Sequence, residues 1–295
     1  MRRIDLLVIS AIITYLILIV FIPPFIDFSA WNPHWNGYDK FVEYFNMTII
    51  NRPSDSSILD NAESKILILI PYKTYTEDEL TMIKRFLELG GCILLMDDYG
   101  YGNQILEYLN APVRITGYML IDPLYYYKSP KLPKIIYFNR NISILQNISS
   151  IVLNHASSIE ILNPAETTLL AYSSKFSYLD IDENGRWSPT DIEGPHPVFV
   201  FFRYKMGSIY VLSDPSISIN SMIELGDNLK LFKKLFNGKK ILIDQFHIKR
   251  NIHSKIRSMI IQLYNYVSSR PTLLSIITSL ITLMIVLYIS KETMR

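Results

Sequence analysis

The chain has 295 residues, 49% of them hydrophobic, and a formal net charge of +2. A balance this close to neutral argues against a nucleic-acid groove built on a strong positive field. One cysteine excludes an internal disulfide and a cysteine-based metal cluster.

In chain order, residues 4–25 follow Met1-Arg2-Arg3 as an almost unbroken apolar run with Asp5 at its edge. About 20 helical residues span a hydrocarbon core, so an uncleaved transmembrane helix is expected here, ended by Pro23-Pro24. A cleaved signal peptide is the competing reading; the run is long for one and lacks a small-x-small site. Residues 28–36 are aromatic and turn-rich, with Trp31, Pro33 and Trp35. A short helix is expected over 37–45 and a short strand over 47–50.

A clear alternation comes next. Residues 65–70 (KILILI) read as a strand buried on both faces. Thr76 with Glu79 makes a capping-box pattern. The helix it opens carries Leu80, Ile83, Phe86 and Leu87 at core spacing and closes at Gly90-Gly91. Residues 92–96 are the next strand, ending in Asp97-Asp98-Tyr99-Gly100-Tyr101-Gly102-Asn103, and a helix is expected over 104–109. Strand–helix–strand–helix with buried strands predicts a mostly parallel sheet with helices on both faces. Residues 112–200 are less regular, with strands expected at 134–138, 151–153, 168–172 and 198–202. Tyr125-Tyr126-Tyr127 reads as packed surface, and 180–197 as a long surface loop.

The most informative run is 207–236. A β-rich stretch stops at Ser213-Asp214-Pro215, Asn220 and Asp227-Asn228 come after it, and Leu229, Phe232, Leu235 and Phe236 share one helical face. Residues 239–243 read as a further strand ending in Asp244-Gln245-Phe246-His247. Neighbouring strands are thus expected to deliver carboxylates to one sheet rim, the usual ligand position in an open α/β sheet. A helix over 255–268 leads into the uncharged run 271–290, expected to be a second transmembrane helix bracketed by Arg270 and Lys291. Short basic tails place both termini in the cytoplasm and the domain, residues 37–268, outside the cell membrane. Sequons at Asn46, Asn141 and Asn147 permit that placement without supporting it.

Three of these stretches, 76–109, 199–236 and 241–247, together resemble the DUF4350 family, and more loosely GldG-like and other class I glutamine-amidotransferase-like domains. The most specific parts are Gly90-Gly91, the strand and Asp97-Asp98 with Gly100, Gly102 and Asn103, and then Ser213-Asp214-Pro215 with Asn220, Asp227 and Asn228. The resemblance implies a flavodoxin-like three-layer α/β sandwich held between transmembrane segments in prokaryotic membranes. It also implies a setting beside MoxR-type AAA ATPases and DUF58-type or von Willebrand-type proteins. One departure stands out: the family commonly has Asp-Glu-aromatic-His in the third stretch, and Gln245 occupies the Glu place.

A class I amidotransferase needs a thiolate on a tight strand-to-helix elbow. The elbow position, Asp98-Tyr99-Gly100-Tyr101, holds neither Cys nor Ser, and Cys92 is expected roughly 16 Å away at the far end of its strand. The expectation is a non-catalytic domain that binds a ligand or partner at Asp97, Asp98, Tyr99, Gly100, Asn103, Asp214, Asn220, Asn228, Asp244 and His247. No cofactor or resident metal is expected, and the partners are the lipid bilayer and the MoxR- and DUF58-type proteins. Two alternatives stand beside it. One is a metal-dependent or other hydrolase in which Asp97, Asp98, Asp214, Asp244 and His247 converge on a hard cation. The other is an accessory subunit of an ABC-type exporter.

Overall fold

The computed structural model describes residues 25–50 and 56–248 continuously, together with isolated positions between 5 and 18 and between 256 and 282. The chain divides into two compact units, residues 25–249 and a second unit made of the two ends, 1–24 and 250–295.

The elements of the unit 25–249 are α1 (Asp39–Phe45), β1 (Thr48–Ile50), β2 (Lys65–Leu69), α2 (Glu77–Glu88), β3 (Cys92–Met96), α3 (Asn103–Tyr108), β4 (Val113–Ile115), β5 (Met119–Ile121), β6 (Tyr126–Tyr127), β7 (Ser129–Ile135), β8 (Tyr137–Phe138), β9 (Ile151–Val152), β10 (Ile159–Ile161), β11 (Thr167–Tyr172), β12 (Tyr178–Asp180), β13 (Ile192–Glu193), β14 (Pro197–Tyr204), β15 (Gly207–Leu212), α4 (Asn228–Leu235) and β16 (Lys240–Asp244). The main sheet has eight strands in the order β1-β16-β2-β3-β15-β14-β11-β8. Its first five strands run parallel. The last three are antiparallel.

The parallel half forms because β2, β3 and the interior of β16 are apolar on both faces and each face is covered. Successive strand residues point to opposite faces. Ile66, Ile68, Leu94, Met96, Leu212 and Ile243 therefore pack with Phe41 of α1 and Phe232 of α4. Leu67, Leu69, Ile93, Leu95, Val211 and Leu242 pack instead with Ile83, Phe86 and Leu87 of α2 and Ile105 of α3. Phe41 and Phe232 meet edge to face at 4.8 Å between ring centres. The capping box of α2 is present, with the Thr76 backbone N–H donating to Glu79 Oε2 at 2.7 Å. Gly207 starts β15 where a Cβ would lie 2.5 Å from the Leu87 carbonyl oxygen, so only glycine lets the strand pass under α2.

The expected flavodoxin-like, mostly parallel sandwich between transmembrane helices is corrected on two counts. First, among the described residues most strand pairings are antiparallel and helices are few. Besides the β15-β14-β11-β8 edge, three small antiparallel sheets (β10-β4, β13-β12-β5 and β6-β7-β9) occupy the middle of the chain. The cause is local. The strands β14 and β15, for example, are joined by the two-residue turn Lys205-Met206, with Lys205 at φ +52. A two-residue turn returns the chain antiparallel; a parallel neighbour needs a crossover of a dozen residues or more. Second, among the described residues no helix is long and apolar enough to cross a membrane. Among the described residues the longest continuous helix, α2, has 12 residues and carries charge along one face, against the roughly 20 apolar residues a span needs. The two-pass placement with cytoplasmic termini is accordingly withdrawn. The runs 4–25 and 271–290 and the helix expected over 255–268 fall largely outside the described residues.

Candidate ligand-binding cleft

The parallel register sets the rim. Leu212 of β15 pairs with Met96 of β3, and the Asp97 N–H donates to the Leu212 carbonyl at 3.1 Å. Two residues beyond that pair, Asp98 and Asp214 leave the sheet side by side. Asp214 is fully buried and accepts from the backbone N–H of Ser216 (2.6 Å) and Asn154 (2.7 Å). Burial pushes its carboxyl up to about 7, against the pull of those amides. Asp98 is pushed up to about 8, by burial first and then by the charges of Asp214 and Asp97. Its Oδ1 is shut from water and has no hydrogen-bond partner. Two neighbouring carboxyls with raised affinity for protons do not both ionise readily at neutral pH.

Asp98 opens onto a cleft of about 750 Å³. Tyr72, Tyr99 and Tyr101 form an aromatic wall, with ring centres 5.9 to 6.1 Å apart. Phe28 stacks on Tyr72 at 5.3 Å. Trp35, Asn36 and Asp27 line the cleft from the N-terminal segment, and Lys73, Asn154, His155, Ser216 and Ile219 complete it. Burial lowers the His155 imidazole's affinity for a proton, so that ring favours its neutral form.

The other residues singled out from sequence have different places. Asp97 is buried and terminates β3, accepting from the N–H of Tyr99 (2.9 Å) and Gly102 (2.6 Å). Gly100 takes φ +89 in that turn. Asn103 clamps both backbone groups of Ile115. Asn220 accepts from Lys40 N–H and donates to the carbonyls of Asn32 and His34, tying down the segment that carries Trp35. Asn228 is fully buried and pairs with the backbone of Val152 and Met222. These side chains shape the cleft's frame without lining it.

Asp244 and His247 sit elsewhere. Asp244 pairs in register with Ile50 and packs with the α2 face of the sheet, the opposite face from Asp98. Its Oδ2 lies 2.5 Å from His247 Nδ1. Tyr75 stacks on the imidazole at 3.7 Å. His247 Nε2 lies 3.4 Å from Glu79 Oε2 without hydrogen-bond alignment. This cluster is only 1% exposed at His247 and lines a small cavity of about 20 Å³, the size of one water. The five-residue convergence expected for a hard cation is not what the chain builds. Among the described residues, Asp97, Asp98, Asp214, Asp244 and His247 include no three with ligand atoms close enough to share one ion.

Gln245 has a clear structural reason. It is fully buried, accepts from Ala30 N–H at 2.8 Å and donates to the Phe28 carbonyl at 3.1 Å. A carboxylate cannot make the second bond. Cys92 is buried at the first residue of β3, the end away from the cleft. Sequence reasoning missed Tyr72, Tyr75 and Glu79 as site residues. Trp35 was visible only as one of several aromatics near an apolar run.

A family model for a domain of unknown function, DUF4350, matches residues 30–236. The chain belongs to that family. No curated protein matches it by sequence. Among solved structures, the mmIFT52 N-terminal domain is similar at 16% identity, over 63% of this chain and 80% of that one, with a TM-score of 0.48. A β-galactosidase from Bacillus circulans sp. alkalophilus is similar at 14% identity over 60% of this chain, which spans 23% of that enzyme, with a TM-score of 0.37. A thua-like protein from Bacteroides uniformis ATCC 8492 is similar at 12% identity, over 59% of this chain and 68% of that one, also at 0.37.

Proposed function

We propose that this DUF4350 chain is a non-catalytic binding domain. Its cleft takes a small ligand, or a partner loop, that presents a hydrogen-bond donor such as an amine or hydroxyl. The observation that carries this is Asp98 Oδ1, an acceptor shut from water and without a partner in the wall of a tyrosine-lined cleft. A buried acceptor left unmade costs about 1–3 kcal/mol, which a donor from a ligand recovers. Aromatic faces add sequence-independent contact area for a planar or ring-bearing ligand. An amidotransferase-like frame that lacks a nucleophile fits the same reading, since the turn at Asp98-Tyr99-Gly100-Tyr101 offers no thiol or hydroxymethyl group. Membership of an assembly with a MoxR-type ATPase and DUF58-type proteins is part of the proposal. The hydrolase alternative is disfavoured by the position of His247, which belongs to the cavity on the other sheet face.

The test is thermal unfolding of the purified full-length chain against a panel of amines, polyols and amino sugars, with Asp98→Ala beside wild type. A stabilising compound whose effect disappears in Asp98→Ala supports the reading. Equal stabilisation of both proteins, or hydrolytic turnover lost on Asp98→Ala, overturns it. Co-purification that returns a transporter ATPase in place of a MoxR-type one supports the exporter alternative.

A further inference from the structure

A second site lies away from the cleft, in the stretch between β12 and β13 that reads from sequence as a surface loop. Residues 180–191 are DIDENGRWSPTD. Counted from Asp180, carboxylate or amide oxygens fall at places one, three and five (Asp180, Asp182, Asn184), glycine at six (Gly185), serine at nine (Ser188) and a carboxylate at twelve (Asp191). This is the spacing of a twelve-residue calcium loop, with Asp for the usual Glu at the last place. Independently of that spacing, the fold brings carboxylate oxygens of Asp180, Asp182 and Asp191, from both ends of the loop, within 4.8 Å of one another. The β12–β13 pairing, Tyr178 to Glu193 and Leu179 to Ile192, closes the loop at its base. Asp180 is only 2% exposed, and among the described residues no lysine or arginine forms an ion pair with any of the three. Backbone N–H groups of the loop donate to these carboxylates, Asn184 and Gly185 to Asp180 and Ile181 and Ser188 to Asp191, and a cation between the three would offset the like-charge repulsion that remains.

We propose that residues 180–191 bind calcium through Asp180, Asp182, Asn184, the Arg186 carbonyl and Asp191, with Ser188 contributing directly or through water. Oxygen donors of this number suit a hard divalent cation, and the flexible coordination of calcium suits it better than the strict octahedron of magnesium. Aspartate at the last place is a shorter arm than glutamate, so the affinity belongs to the weaker end of the range, on the order of 10⁻⁴ M. Strands, not helices, flank the loop, so the ion pins a hairpin and does not swing two helices apart.

Trp187 lies within the loop and supplies the readout. Terbium added to the full-length chain is expected to emit under tryptophan excitation, and calcium to displace it. Trp187→Phe removes most of that emission while calorimetric calcium binding stays within about twofold. Asp182→Asn changes an exposed position, so the fold survives, and weakens calcium binding about tenfold or more; Asp180→Asn does the same wherever near-UV circular dichroism shows it folded. Glu183→Gln, at a place that supplies no ligand, leaves binding within about twofold. The proposal is overturned by absence of binding at millimolar calcium, by unchanged affinity in Asp182→Asn, or by equal losses in Asp182→Asn and Glu183→Gln, which mark a diffuse acidic surface.

Discussion

The Asp98–Asp214 rim and the Asp244–His247 cavity begin from the same sequence signal, an aspartate just past a buried apolar strand. They end as opposite environments. At the rim, Asp98 lines an open cleft and feels the charge of the buried Asp214, and both carboxyls hold protons more tightly than usual. In the cavity, two carboxylates flank one buried imidazole, under a stacked tyrosine. Strand parity explains the split. Asp98 lies two residues beyond Met96 and Asp214 two beyond Leu212, so both keep to the face that Met96 and Leu212 share with Phe41 and Phe232. Asp244 comes one residue after Ile243 and so turns to the other face, where α2 offers Glu79. A shift of one residue along a strand decides whether a carboxylate meets another acid or a histidine.

The largest expected effect is at the cavity. His247→Ala leaves Asp244 Oδ2 without its 2.5 Å partner and opens space beneath Tyr75. We expect a loss of about 3 kcal/mol in urea unfolding. A change below about 1 kcal/mol would remove the cavity's structural role and revive a functional one.

Next comes Gln245→Glu, which replaces a buried donor to the Phe28 carbonyl with an acid. It is expected to cost about 2 kcal/mol at neutral pH, less in acid, where the carboxyl is protonated and can donate. A neutral outcome at pH 7 would show that the segment around Phe28 is held by other contacts.

The rim predicts a pH dependence of definite sign. Asp98 titrates at about 8 and Asp214 at about 7 in the fold, against about 4 in an unfolded chain. Between those values the folded state holds more protons, so stability falls as pH rises from 4 to 8. Asp98→Asn should stabilise on the order of 1 to 2 kcal/mol at pH 8, leave pH 4 unchanged and flatten the profile. A wild-type profile already flat over that interval would contradict the pairing of Asp98 with Asp214. The smallest effect on stability is Tyr99→Ala. The ring is 64% exposed, so unfolding should shift by no more than about 0.5 kcal/mol, while ligand-induced stabilisation drops sharply. Retained ligand response would take the aromatic wall out of the recognition.

Much of the parallel half was legible in the residues. KILILI, CILLM and ILID are apolar on both faces, and Thr76 with Glu79 marks a helix start whatever surrounds it. Local propensity and burial agree there, so short windows suffice. The middle of the chain was not legible as topology. Its strands were visible at 134–138, 151–153, 168–172 and 198–202, but their antiparallel partners depend on turns and pairings between distant residues. Gln245 looked like a missing acid until its bonds to Ala30 and Phe28, more than 200 residues away in sequence, were in view.

By itself the sequence determined which segments are buried strands, where α2 begins, and that no thiol or serine stands at the turn after β3, because each depends on near neighbours alone. Register and face were settled only in three dimensions. They join Asp98 to Asp214, send Asp244 to His247 and Glu79, and close residues 180–191 into one acidic loop. Such relations depend on how strands from distant parts of the chain align, and no local window carries that alignment.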